Sequence, residues 1–237
     1  MPHRLRRATA GLACSLLMAC AAPAGLPLEW TTADALLLGE LHDDEAHQRR
    51  HREVIESLAT RGRLGAVALE MAEQGVSTAG LPRSAEAAAV RAALRWNDEA
   101  WPWSRYGPAV MAAVAAGIPV FGANLPRDRM RPAMADAALD LALDADALAA
   151  QREAIRKGHC DLMPERQLAP MARVQVARDR AMAQVLAQAA KPGQVVVLLA
   201  GAGHVDPRLG VPRHLPGSLR VQSVALPRQA PPPAVDP

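Results

Sequence analysis

Aromatic side chains are scarce in this chain: one Phe, one Tyr and four Trp make up 3% of 237 residues. A core without them has to be built from Ala, Leu and Val, with Met filling irregular gaps. Lysine is nearly missing too. Lys157 and Lys191 are the only two, so arginine carries the basic side of a net charge of +3. Past the first few residues there is no basic run and no alternation of basic with aromatic residues. That argues against nucleic acid as a partner. The slight positive excess still suits an anionic ligand. No Gly-x-Ser-x-Gly occurs, which argues against serine-type acyl transfer, and no internal repeat is visible.

Cysteine is sparse, and its positions matter. Met1 to Arg7 is basic, Ala8 to Ala19 is apolar, and Cys20 follows. An apolar stretch of about a dozen residues behind a charged start reads as a secretion signal, too short to span a bilayer. The segment Leu17-Met18-Ala19-Cys20 resembles the lipobox of bacterial lipoproteins. That resemblance implies a signal peptide over residues 1–19, lipidation of Cys20 and a tether over 20–30. It also implies a lipid-anchored, periplasm-facing place in the bacterial cell envelope. Cleavage after Ala22 or Ala24 without lipidation is the other reading. Cys14 leaves with the leader either way, and an acylated Cys20 forms no disulfide. Cys160, beside His159, then reads as a small buried residue ahead of a ligand.

The remainder, residues 31–228, reads as one α/β domain, followed by a disordered Pro-rich tail over 229–237. Apolar runs at Ala35–Leu38, Ala66–Leu69, Pro119–Ala123, Val195–Leu199 and Leu219–Ala225 are expected strands. Helical patterns lie between them, at about 44–60, 84–94, 106–116, 128–157 and 165–190. Strands that are apolar throughout and alternate with helices predict a mostly parallel sheet with helices on both faces.

Four of these strands share one design. Each is apolar, then ends in side chains capable of chemistry: Glu40 and His42, Glu70, Asn124 and Arg127, His204 and Asp206. Parallel strands bring such ends to one edge of the sheet, where open α/β sheets bind ligands. Glu40 and His42, two apart, point to the same side while the chain is extended. Gly39, Gly201 and Gly203 permit close approach of backbone to ligand. His47 and His51 share a helix face, read as solvated, with His47 the nearer to the site. Gln175, Arg178 and Asp179 share a side of the long helix, either a salt-bridged surface or a pocket wall. Trp96 reads as packing, and Trp101, Trp103 and Tyr106 as an aromatic lid for a flat ligand.

Taken together, the motifs resemble a known family. They are Leu38-Gly-Glu-Leu-His-Asp43, Ala68-Leu-Glu-Met71, Tyr106-Gly-Pro, Gly117-Ile-Pro-Val-Phe-Gly-Ala-Asn-Leu-Pro-Arg127, Gly158-His-Cys160, Gln175-x-x-x-Asp179, and Gly201-Ala-Gly-His204 with Val211-Pro212. In this order, over about residues 36–225, they look like the ChaN-like haem-binding lipoproteins, in a wider group with erythromycin-esterase-like and Tiki-type proteins. The resemblance implies haem as cofactor, a role in iron acquisition and a homodimer sharing two haems. It implies Glu40, His42, Glu70 and His204 as the pocket core, and iron ligation by a tyrosine with a partner histidine. Tyr106 is the only tyrosine, and the motifs leave open whether it matches that ligand. His159, His204, Tyr106 and His42 are therefore all candidate iron ligands, with a histidine ranked first. Met71, Met163, Met171 and Trp103 could wall the ring, and Arg127 could meet its propionates. No Cys-x-x-Cys-His is present, so covalent haem attachment is excluded. A second reading takes Glu40, His42, Glu70 and His204 as the acid/base set or divalent-metal ligands of an esterase- or peptidase-like hydrolase.

Overall fold

The computed structural model describes residues 26–228. The expected leader, Cys20 and the Pro-rich tail lie outside the described residues. Five strands, β1 (Ala35–Glu40), β2 (Leu64–Glu73), β3 (Val120–Asn124), β4 (Val195–Gly201) and β5 (Val221–Ala225), form one sheet in the order β3-β2-β4-β1-β5. Every pairing is parallel. Among the described residues seven α-helices accompany them: α1 (Leu28–Thr32), α2 (Glu45–Thr60), α3 (Ala87–Ala93), α4 (Trp103–Ala115), α5 (Arg127–Ala135), α6 (Ala145–Gly158) and α7 (Glu165–Ala189). The α/β class and the parallel sheet read from the sequence are what the structure has. Among the described residues no helix is long and apolar enough to cross a membrane.

The strands are apolar throughout because both faces of the sheet are covered. Leu36, Leu38, Val67, Leu69, Val197 and Leu199 pack under α2 and α4. Their alternates Leu37, Ala66, Ala68, Val196 and Leu198 pack under Met182 and Leu186 of α7. The smaller residues of β2 thus face the long helix, which supplies bulk from its own side. The sheet crosses over at β4, which sits between β1 and β2. Helices of the β1–β2 and β2–β3 connections lie on one face and α7 on the other, so a crevice opens at the carboxyl ends of β2, β4 and β1.

Two departures shape that crevice. β2 runs longer than its apolar core. Leu69 pairs with Gly122 and Glu73 with Asn124, so four steps on β2 face two on β3. Such a bulge re-aims side chains locally, and it sits where Glu70, Met71 and Ala72 line the cleft. Helix α4 starts at Trp103 rather than near Tyr106, because the Asp98 carboxyl accepts the Trp103 N–H at 2.7 Å behind Pro102. Elsewhere, Leu28 to Trp30, assigned to the tether, begin α1, and Trp30 is buried. Cys160 is exposed, not buried. It follows α6 in a turn with φ of 53°, the backbone turning away from the helix before a side chain can pack.

Candidate functional site

The site is built around Glu40, the last residue of β1. β1 places it opposite Gly201 of β4, buried among side chains from three elements. Its Oε1 accepts the Tyr106 hydroxyl at 2.7 Å and lies 2.7 Å from His42 Nδ1. Its Oε2 accepts the Gln48 amide at 2.8 Å and lies 3.4 Å from His51 Nδ1. Burial and the adjacent Glu40 push the Tyr106 hydroxyl far above its ordinary pKa, so it acts only as a donor. His51 is sealed at 1% exposure, and burial holds its pKa down to about 4.

A second cluster adjoins the first. Glu70 Oε2 accepts the Gly201 backbone N–H at 2.6 Å, and Oε1 lies 3.3 Å from His204 Nε2. His204 Nδ1 meets Asp179 Oδ1 of α7 at 2.6 Å. All three side chains are buried. Burial opposes a charge on His204, but the two flanking carboxyls outweigh it and push its pKa up to about 10. Burial would raise Glu70, yet His204 and the Gly201 N–H hold it down to about 2. Burial raises Asp179, with its bond to His204 pulling the other way. His204 is thus an imidazolium held beside the Glu70 carboxylate.

His42 joins the clusters. Its Nε2 stands 3.9 Å from Glu70 Oε2, and its side chain is 40% exposed where its partners are nearly sealed. Burial lowers its proton affinity, but Glu40 and Glu70 more than offset this and raise its pKa. A Cβ at Gly201 would stand 2.9 Å from His42 Nε2, so only glycine leaves this ring its place. Gly39 is required differently, by Val205 and Ala202 packed against its α-carbon.

Above His42 and Glu70 lies a cleft of about 550 Å³. Met71, Trp101, Leu125 and Met130 supply apolar wall, and Arg95, Arg127 and Arg178 supply positive charge. Two polar atoms of the lining, Arg178 Nε and Asn124 Oδ1, are buried without a hydrogen-bond partner. A large planar anion with carboxylates at its edge matches this lining: ring against Met, Leu and Trp, carboxylates against guanidinium groups.

The strand-end residues do converge. His42, Glu70, Asn124 and Arg127 line the cleft, with Glu40 and His204 directly behind. Asp179 and Arg178 make α7 a pocket wall, whereas Gln175 is outside the lining. Further expectations are corrected. Trp103 packs edge-on to Trp96 at 5.0 Å, against the core under α4, and Trp101 is the tryptophan in the cleft. Tyr106 is buried beneath Glu40. His159 is exposed at the end of α6, bonded to the Ile155 carbonyl at 2.8 Å and outside the cleft lining. His204, engaged at both nitrogens, has no lone pair to offer iron. Met163 and Met171 pack beside α6 and α7 instead of lining the cleft.

Gln48 and the inward-facing His47 and His51 were legible only as a solvated face. His47, His51, Val54, Ile55 and Leu58 in fact form one continuous buried stripe of α2. That helical spacing was the available signal. His47 clamps the chain ends of the site: its Nδ1 accepts the Leu41 N–H at 2.9 Å and its Nε2 reaches the Pro227 carbonyl at 3.0 Å.

Fold and site define a parallel α/β ligand-binding protein with an arginine-rimmed cleft at the strand carboxyl ends. The chain belongs to the haem-binding uptake family of the Tiki superfamily, ChaN, whose model matches residues 27–215. A solved structure of cofacial heme binding to ChaN of Campylobacter jejuni has the same fold, with a TM-score of 0.72 over 86% of each chain and 24% sequence identity. No curated protein matches this sequence.

Proposed function

We propose that this chain is a haem-binding lipoprotein of the bacterial cell envelope, serving haem or iron acquisition. Haem is the cofactor of the family to which it belongs. The observation that carries the reading is the cleft, where Trp101, Met71, Leu125 and Met130 meet Arg95, Arg127 and Arg178. Its volume of about 550 Å³ falls in the usual range for sites that bury most of a ligand. Bound haem supplies an iron centre that accepts axial ligands and electrons. Trp101, Met71, Leu125 and Met130 would hold the ring, and Arg95, Arg127 and Arg178 would neutralise its propionates. The hydrolase reading finds no support. Among the described residues no three His, Cys, Asp or Glu side chains are placed to hold a metal ion. Their donor atoms are turned on one another.

Haemin titrated into the protein without its leader is expected to give a saturable Soret band. Haemin dimethyl ester, or the Arg178→Ala and Arg127→Ala variants, should bind roughly 10- to 100-fold more weakly, the worth of a charge-assisted hydrogen bond. A flat titration with haemin ends the proposal. The envelope anchor rests on the Leu17–Cys20 segment. Metabolic labelling with a fatty acid should mark the wild type and not Cys20→Ala; label on both would show that the anchor is elsewhere. The homodimer rests on the family resemblance alone. Haemin should double the sedimenting mass, and a monomer at saturation would remove the dimer from the account.

A further inference from the structure

We propose that His42 is the haem-iron ligand of this chain and that Glu40 is the residue that positions it, an assignment that rests on the haem-binding reading above. Every other histidine or tyrosine among the described residues is spent or misplaced. Tyr106 donates its hydroxyl to Glu40 from a buried position. His47 is engaged at both nitrogens by Leu41 and Pro227. His204 is clasped between Asp179 and Glu70. His51 is sealed beneath Glu40. His159 and His214 stand outside the cleft lining.

His42 alone of these residues lines the cleft. Its Nδ1 is tied to Glu40 at 2.7 Å, which keeps a hydrogen on that nitrogen, so iron binding at Nε2 would displace the ring's other proton. Nε2 is 3.9 Å from its nearest carboxylate oxygen, beyond hydrogen-bond reach, so that nitrogen has no hydrogen-bond partner to lose. The ring is fixed further by Trp101, edge-on at 4.9 Å, and its backbone carbonyl by Arg105 at 3.2 Å. A carboxylate behind the distant nitrogen is how proteins fix the tautomer and orientation of a metal-bound imidazole. The lack of a Cβ at Gly201 spares Nε2 a contact at 2.9 Å. Histidine ligation would set this chain apart from the tyrosine expected of the family, and the buried Tyr106 explains why.

The test uses the full chain loaded with haemin and reads the ligand directly. Resonance Raman and electron paramagnetic resonance of the wild type should show histidine ligation, and an iron–phenolate signature would overturn the proposal without any variant. His42→Ala should lose the wild-type Soret position, and added imidazole should restore it, which also shows that the variant is folded. Glu40→Gln should keep the histidine signature with affinity lowered roughly tenfold, as for other carboxylates behind ligating histidines. His159→Ala and Tyr106→Phe should keep the wild-type ligand signature. An unchanged spectrum in His42→Ala, or loss of the signature in either of those two variants, assigns the iron elsewhere. A wild type that binds no haemin refutes the haem reading itself, a failure distinct from a wild type that binds through another side chain.

Discussion

Replacing His204 by leucine is expected to destabilise the domain by about 3–5 kcal/mol, the cost of removing one partner from a buried ion pair. His204 touches Asp179 on one side and Glu70 on the other, and all three are buried. Without the imidazolium, two carboxyls face each other in a dry site, and only the Gly201 N–H remains to satisfy Glu70. The double variant His204→Leu/Asp179→Leu should recover part of the loss, because it removes one of the stranded carboxyls along with its partner. Urea unfolding followed by tryptophan fluorescence measures both. A single-variant cost below about 1 kcal/mol, the range of exposed ion pairs, would mean that the cluster is hydrated in solution.

The same cluster sets a pH profile. His204 has its folded pKa raised from 6.5 to about 10. Its contribution is complete below pH 6.5 and is lost as the pH rises through about 10. Glu70, lowered from 4.5 to about 2, contributes fully above pH 4.5 and loses that contribution as the pH falls through about 2. His51, lowered from 6.5 to about 4, is penalised on protonation, so stability falls between pH 6.5 and 4 as well. These groups together place maximal stability near pH 6.5, with an alkaline limb shared by His204 and His42, whose pKa is raised as well. That limb should flatten in His204→Leu; if it stays as steep as in the wild type, another group causes it.

The sheet and the site differed in how openly the sequence declared them. Strands such as Val195–Gly201 are apolar on both faces because α-helices cover both, and a run without polar alternation is visible in one dimension. The convergence of Glu40, Glu70 and His204 followed from the same fact, since parallel strands share a carboxyl edge. What stayed hidden depended on partners distant in sequence. His47 is polar yet buried because the Pro227 carbonyl, 180 positions away, meets its ring. Gln48 is buried because its amide donates to Glu40, a partner that nothing in its own helix announces. Trp101 and Trp103 are two residues apart, and which of them faces the ligand turned on the Asp98 cap that starts α4 between them. Asp179 lay in a motif whose helix face suited a salt-bridged surface equally well, until His204 came within 2.6 Å of it.

A comparable loss is expected at Glu40. Glu40→Ala should cost about 4 kcal/mol. It leaves the Tyr106 hydroxyl and the Gln48 amide buried without an acceptor, at about 1–3 kcal/mol for each such group. It also opens a small void beneath β1. Both donors now end on Glu40 at 2.7 and 2.8 Å, with no water-facing route for either group in a side chain this buried. Glu40→Gln keeps the volume but presents an amide nitrogen to at least one donor, so it should fall between the wild type and Ala. Tyr106→Phe alone should cost about 1–2 kcal/mol, since it removes one hydrogen bond and leaves Glu40 Oε1 its His42 partner. The double variant Glu40→Ala/Tyr106→Phe should then be less damaging than the sum of its parts, because the phenol that Ala strands is gone. Strict additivity of the two changes in denaturant titrations would mean that the Tyr106–Glu40 hydrogen bond is not what holds β1 to α4.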